Sequence, residues 1–362
     1  MITLGQALRA GLTRDQVRQL HRSGRWRRIL RGCFVPDAEL SESTRRSARI
    51  RAAVVSLGPG AFAVLDTALE LHGIAGLWRA PQVHVSVPAG RHRPQRALAP
   101  WLNVHQMTVG PDDIGEVAGI RATSPLRTVS DVVLRVGRYP AVSVLDSALN
   151  QRRIDPAELA AVQRLIRGRR GAVAARSYLT EADGRAQSPL ETRSRLRCID
   201  GRVPPDTLQL EVRDEDGYLL GIGDLGWRGP RVIAEADGRD AHGTLAAAFA
   251  DRRRQNRLVN AGWTILRFTW QDTLHPTYIP HTVRQAIAAG GGGWRWWGGA
   301  HDGGRPGFGW GTVGSRSCGF CWLVVVGGSM RSPSGWWRIR LFPRLLPRLV
   351  IPGSPRWLSC GR

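Results

Sequence analysis

The spacing of apolar residues changes period several times along the chain, and each change marks an element. Leu4, Ala7 and Leu8, then Val17 and Leu20, recur at helical intervals, with Gly11 breaking between them. Thr13 is placed to cap the second of these helices, and Gln16, three residues on, completes a capping box. Residues 25–36 alternate like a hairpin carrying arginines along one face. Helices are then expected over 47–57 and 61–72, separated by Gly58-Pro59-Gly60, and an alternating strand over 81–88. A strand leads into a helix across 120–131, with Pro125 near the first helical turn. Helices over 140–150 and 156–165 run to the basic stretch 167–171, and a further helix and linker fill 172–185.

From Ser188 onward strands dominate. Ser188 as cap and Pro189 at the first helical position open a helix over 188–199. Leu208, Leu210 and Val212 alternate with polar residues as a strand, and Asp214-Glu215-Asp216-Gly217 reads as a turn. Residues 218–224 form a second short strand, closed by Asp224. Residues 232–238 form a third, ending in Glu235 and Asp237, and 263–268 an apolar fourth. The whole reads as an α+β multidomain chain. Its expected divisions are a small N-terminal domain over 1–40, a mixed α/β middle region over 41–180 and an α/β/α domain over 186–288. Residues 290–362 hold 18 of the 43 glycines and 8 of the 14 tryptophans without any period. Glycine raises the entropy cost of ordering and unpatterned tryptophans build no core, so a disordered tail is expected there.

Charge narrows the partner. The net charge is +23, and because the chain has no lysine all of its basic side chains other than histidine are arginine. Such a chain is drawn to polyanions, and the guanidinium fork matches phosphate geometry, which makes DNA the expected partner. The five cysteines are odd in number and scattered, which argues against a disulfide framework and for the cytoplasm. Cys318-Gly-Phe-Cys321 stands alone, without a second pair for zinc. No signal peptide is expected from the Met-Ile-Thr-Leu-Gly start, and no apolar run approaches the roughly 20 residues that span a bilayer, so no membrane partner is expected.

The candidate chemistry is carboxylate chemistry. Residues two apart on a strand share a face, so Glu235 and Asp237 project together, and Asp224 meets them if the two strands pair. Carboxylates brought to one point raise one another's pKa and normally hold a cation. Oxygen-only ligands suit magnesium, or manganese, and such an ion beside arginines suits phosphodiester hydrolysis. His242 follows the carboxylates as a candidate base, and Arg267 and Arg254 are candidates to hold phosphate. Arg254 is also spaced to pair with Asp251 on its own helix. Glu191 lies in a first helical turn, where the helix dipole favours a carboxylate without any catalytic reason.

At the other end of the chain, helix, turn, helix and basic hairpin follow in the order of a small winged helix. Its candidate DNA contacts are Arg14, Arg18, His21, Arg22, Arg25, Arg27 and Arg28. Each of these taken alone reads better as part of a solvated face, and the cluster reads better as a DNA contact.

Two resemblances attach to these residues. The run Ser188-Pro189-Leu190-Glu191-Thr192-Arg193, Asp224, Glu235-Ala236-Asp237-Gly238, Asp251-Arg252-Arg253-Arg254 and Gly262 to Arg267 resembles an endonuclease-like domain. That domain is related to the very-short-patch-repair nucleases of the PD-(D/E)xK superfamily. The resemblance spans 186–288 and implies a restriction-endonuclease-like fold, with Asp224 and Glu235 as metal ligands and Glu191 as a helix carboxylate facing the site. It places Asp237 where many members carry lysine, so the lysine's role in activating water is absent or falls to another group. The second resemblance runs from Gly11-Leu12-Thr13 to Arg31-Gly32-Cys33-Phe34-Val35-Pro36, and on to Thr123-Ser124-Pro125-Leu126-Arg127-Thr128. These residues are similar to AbiEi-like antitoxins of type IV toxin–antitoxin systems, which implies a cognate toxin as a partner.

Two functions follow. One is a magnesium-dependent DNA endonuclease or nickase. The other is an antitoxin or transcriptional regulator that binds operator DNA and carries an inactive nuclease-like domain.

Overall fold

Two capping boxes open the chain. A short strand β1 (Ile2–Thr3) runs into α1 (Leu4–Arg9), capped by Thr3 and Gln6. In α2 (Arg14–Arg22) the Thr13 hydroxyl accepts the Gln16 N–H at 3.2 Å, and the Gln16 side chain accepts the Thr13 N–H at 2.7 Å. Two orphan backbone donors are thereby satisfied at the helix start. The hairpin β2 (Trp26–Leu30) and β3 (Cys33–Pro36) follows, with β1 pairing on the far side of β3. Ala7, Val17 and Phe34 close a small core between the helices and the hairpin.

The computed structural model describes residues 1–90, 98–238 and 245–291. They lie within one compact unit, mixed α+β, with three separate sheets. The tail from 292 onward, His242 and the Cys318 and Cys321 pair lie outside the described residues.

The middle of the chain is a five-stranded sheet backed by helices. Helix α3 (Glu42–Leu57) packs on strands β4 (Phe62–Ala63) and β5 (Val83–Val87), and α4 (Leu65–His72) lies between those strands in sequence. Strands β6 (Leu102–Gln106), β7 (Ile114–Val117) and β8 (Ile120–Thr123) complete the order β6-β5-β4-β8-β7. A helical layer then follows: α5 (Pro125–Val133), α6 (Arg138–Asn150), α7 (Glu158–Ile166) and α8 (Ala172–Thr180). Its apolar faces meet those of α4 around Phe62, Leu65, Leu145 and Ile154. The helix expected over 61–72 begins later than its pattern suggests. Phe62 and Ala63 are buried and hydrogen-bonded as the central strand, pairing with β5 and β8, so sheet pairing overrides local helical spacing there.

The last region has helices on both faces of a four-stranded sheet. Helix α9 (Pro189–Asp200) is followed by β9 (Thr207–Arg213), β10 (Leu219–Trp227) and β11 (Val232–Ala236), with β10 antiparallel to both β9 and β11. Helix α10 (Leu245–Asn260) crosses over to β12 (Thr264–Phe268), which pairs parallel with β11, and α11 (Tyr278–Gly291) closes the region. Cys198 of α9 and Ile279 and Val283 of α11 cover one face of the sheet, against Leu225 and Ala234. Leu258 of α10 covers the other, against Leu210 and Ile233.

The strand expected to close at Asp224 continues to Trp227, leaving Asp224 in its interior. Its glycines do not weaken it. A Cβ at Gly223 would lie 2.0 Å from Ile233 Cγ2, so glycine is what lets the two strands pack there.

A buried ion pair ties this region to the helices before it. Asp146 of α6 accepts from Arg195 and Thr192 of α9 and from the Asp183 N–H.

Candidate functional site

The candidate site forms where α9, β9, β10 and β11 meet. Leu225 of β10 faces Ala234 of β11 in the antiparallel register, which puts Asp224 beside Glu235. Asp224 Oδ2 accepts the Ala236 N–H at 2.8 Å, so the carboxylate is fixed by the neighbouring strand's backbone. From α9, Glu191 accepts the Gln187 N–H at 2.8 Å while its own N–H is capped by Ser188 at 3.2 Å. Gln209 of β9 joins the two acids. Its amide nitrogen lies 3.0 Å from Glu191 Oε2 and 3.5 Å from Asp224 Oδ1.

Gln209 was not among the sequence candidates, and the reason is backbone. Its φ of 51° is left-handed, rare for a residue with a Cβ. Leu208 packs on the α9 and α11 side of the sheet while Leu210 packs on the α10 side, although residues two apart should share a face. The left-handed step at Gln209 turns the strand over. Period-two reading does not register such a step, and no residue type announces it.

Burial pushes both Glu191 and Asp224 above the ordinary carboxylate range. Glu191 is pushed further by the Asp224 charge, and Asp224 by the Glu235 charge, against the hydrogen bonds they accept. Glu235 sits differently. Arg254 of α10 reaches one of its oxygens at 2.7 Å and Arg267 of β12 the other at 3.3 Å. Both arginines also bind Asp251, at 2.7 and 2.6 Å. Burial raises the Asp251 carboxyl, but the hydrogen bonds from Arg267 and Arg254 outweigh it, and the net direction is down.

The structure therefore brings Glu191, Asp224 and Glu235 together, with Arg254 and Arg267 behind Glu235. Asp237 lies past the end of β11, exposed, with its N–H on Phe268 O; it reaches the group through its charge on Arg267. Arg254 and Arg267, expected to hold phosphate, are occupied by carboxylates, as the spacing of Asp251 and Arg254 allowed. Among the described residues, no set of three or more histidine, cysteine, aspartate or glutamate side chains is arranged to hold a metal ion.

At the N-terminal end Arg14, Arg18, Arg22, Arg25, Arg27 and Arg28 are all exposed. Arg14, Arg18 and Arg22 recur every four residues and so share one face of α2. Arg18 pairs with Asp15 and Arg27 with Asp37; the other four have no carboxylate partner among the described residues. His21 is taken up locally, its Nδ1 3.1 Å from Trp26 O. No helix among the described residues is long and apolar enough to cross a membrane.

Two Mycobacterium tuberculosis proteins, the uncharacterized proteins MT2308 and Rv2248, are each 34% identical to the chain over 224 residues. The match covers 62% of this chain and 80% of each relative. The chain belongs to the family of these proteins. Within it, residues 61–181 match the AbiEi antitoxin C-terminal domain family, which takes in the middle sheet from β4 and the helical layer through α8. A more distant likeness is to the crystal structure of the RV2827C protein from Mycobacterium tuberculosis. That likeness has 17% identity and a TM-score of 0.38, covering 53% of this chain and 74% of that one. The AbiEi match begins after the arginine-bearing helices and hairpin and ends before Glu191, so the carboxylate group lies outside it.

Proposed function

We propose that the chain is a DNA-binding regulator of the antitoxin type, acting in the cytoplasm with a cognate toxin as its partner. The observation that carries this reading is the AbiEi antitoxin C-terminal domain match at 61–181, directly behind an exposed arginine surface. In the winged-helix reading, Arg14, Arg18 and Arg22 on one face of α2 approach a groove while Arg25, Arg27 and Arg28 run along phosphates. Such contacts set position and affinity on the duplex. The test is a mobility shift with duplex DNA from upstream of the protein's own gene. Binding is expected to persist in EDTA and to be lost when Arg14, Arg18 and Arg27 are changed together to alanine. A shift that survives those changes would move the DNA surface elsewhere.

A second reading, a magnesium- or manganese-dependent endonuclease or nickase, is favoured by the convergence of Glu191, Asp224 and Glu235. Two of these residues fit a hard divalent ion, because Glu191 and Asp224 are carboxylates raised by burial and neighbouring charge, the condition a cation relieves. Glu235 fits it less well, since both its oxygens are neutralised by arginine. Asp224 with Glu191 would hold the ion, which would supply Lewis-acid polarisation of a phosphodiester. Supercoiled plasmid incubated with magnesium, manganese or EDTA decides it. Metal-dependent nicking abolished by Glu235→Ala supports this reading, and intact plasmid with either metal removes it.

A further inference from the structure

On the side of α9 away from Glu191, aromatic rings and guanidinium groups alternate in one row. The Tyr139 ring of α6 receives Arg193 at 5.1 Å and Arg197 at 4.7 Å, both from α9. Arg193 also lies 4.7 Å from the Trp270 ring, and Trp270 meets Trp78 edge-on at 5.2 Å. Trp78, between α4 and β5, ends the row with 78% of its surface exposed.

The two arginines are held in place without being neutralised. Arg193 Nε donates to the Thr273 hydroxyl at 3.2 Å and Arg197 Nε to the Thr273 carbonyl at 2.8 Å; Thr273 is itself buried. Among the described residues neither arginine pairs with a carboxylate, whereas Arg138 beside them is taken by Glu181 and Asp200. Neither has a buried, unpaired nitrogen, so their Nη groups reach solvent. Burial and the neighbouring Arg197 charge together press the Arg193 guanidinium below its usual value. Two like charges fixed side by side, each without a carboxylate partner, are relieved by an anion that accepts from both. A largely exposed indole one ring further on is the other half of a single-strand platform, where a base stacks and its phosphate lies on arginine.

We propose that Arg193 and Arg197 bind a backbone phosphate of single-stranded nucleic acid while an unpaired base stacks on Trp78. A paired duplex keeps its bases stacked on one another and leaves the indole face unused, which is why a single strand fits better. An acidic peptide would satisfy the arginines without the indole. This site stands apart from the duplex surface proposed on α2 and the first hairpin.

The experiment uses the full chain with a fluorescein-labelled 12-nucleotide single strand and, as a second probe, the duplex of the same sequence. Anisotropy is followed across a salt series. Trp78→Ala removes an exposed side chain and is expected to weaken single-strand binding roughly tenfold while duplex binding is unchanged. Arg193→Gln with Arg197→Gln is expected to reduce the magnitude of the single-strand salt slope by about 0.7, the value of one lost phosphate contact. Circular dichroism confirms that each variant is folded. Loss of duplex binding on changing Arg14, Arg18 and Arg27 reports on the other surface alone. Single-strand affinity of Trp78→Ala within twofold of the parent overturns the proposal. So does displacement of the single strand by polyglutamate from parent and Trp78→Ala protein at equal concentration, which would identify an acidic-peptide site.

Discussion

The side-chain amide of Gln209 donates to Glu191 at 3.0 Å from a backbone held at φ 51° in the middle of β9. One residue thus carries two opposed effects, a hydrogen bond to a buried acid and a left-handed backbone costing about 1–2 kcal/mol. Gln209→Ala loses the first and keeps the second, while Gln209→Gly loses the first and relieves the second. The glycine variant is therefore expected to be more stable than the alanine variant by about 1 kcal/mol in urea unfolding. Equal midpoints for the two would show that the turn in β9 carries no strain.

Glu191 and Asp224 make stability depend on pH in a defined direction. Both are raised by burial and neighbouring carboxylate charge, so the folded state takes up protons more readily than the unfolded chain. Their ionised forms cost stability above the raised folded values, and that cost fades as pH falls through those values toward the ordinary carboxylate range. Asp183 and Asp251 run the other way: they are lowered, and their contribution is lost as pH falls. The comparison is therefore made as a difference from the parent protein. Asp224→Asn and Glu191→Gln are each expected to raise the melting temperature at neutral pH, with a gain that shrinks as pH is lowered. A gain constant across that range would mean that the removed charge is not its source.

Local signals were legible in the sequence and pairings across the fold were legible only in part. Thr13 with Gln16 and Ser188 with Pro189 are complete within four residues, and each helix starts where they place it. Asp224 beside Glu235 followed from two strands close in sequence that pair antiparallel. Phe62 and Ala63 have helical spacing, and only β5 and β8 on either side make them a strand. The neutralisation of Glu235 depends on α10 and β12 delivering Arg254 and Arg267 to the same carboxylate, a convergence that no local pattern encodes. The row from Tyr139 to Trp78 draws on four separate segments and is invisible for the same reason.

Arg254 is expected to be structural before it is functional. It donates to Glu235, Asp251 and the Ile222 carbonyl, so its loss leaves a nearly buried Glu235 with only the longer contact to Arg267. Because Arg254 is partly exposed, the cost falls below that of a fully buried pair, at about 2 kcal/mol for Arg254→Ala. Adding Glu235→Gln is expected to recover part of that loss, since the stranded charge is then gone. Urea unfolding of both variants measures it, and additive losses in the double variant would show that the two side chains are uncoupled.

The Asp146–Arg195 pair is the most buried ion pair that joins the AbiEi-matching region to the sheet beyond it, with the two side chains 1% and 8% exposed. Asp146 collects the Arg195 guanidinium, the Thr192 hydroxyl and the Asp183 N–H, while burial still drives its carboxyl above the usual range. Asp146→Ala removes the acceptor of all three donors at once and leaves an arginine charge in a buried junction where its Nε is already unpaired. The loss is expected to be about 3–5 kcal/mol. Replacing both partners by apolar residues, Asp146→Leu with Arg195→Met, leaves no stranded charge and is expected to cost less than Asp146→Ala alone. The location of the pair adds a second expectation. If it couples the two regions, Asp146→Ala splits one unfolding transition into two, seen as near-ultraviolet and far-ultraviolet circular dichroism melts that no longer coincide. A single coincident transition in that variant, at little reduced temperature, would show that the regions are held together by their apolar contacts and that this pair is dispensable.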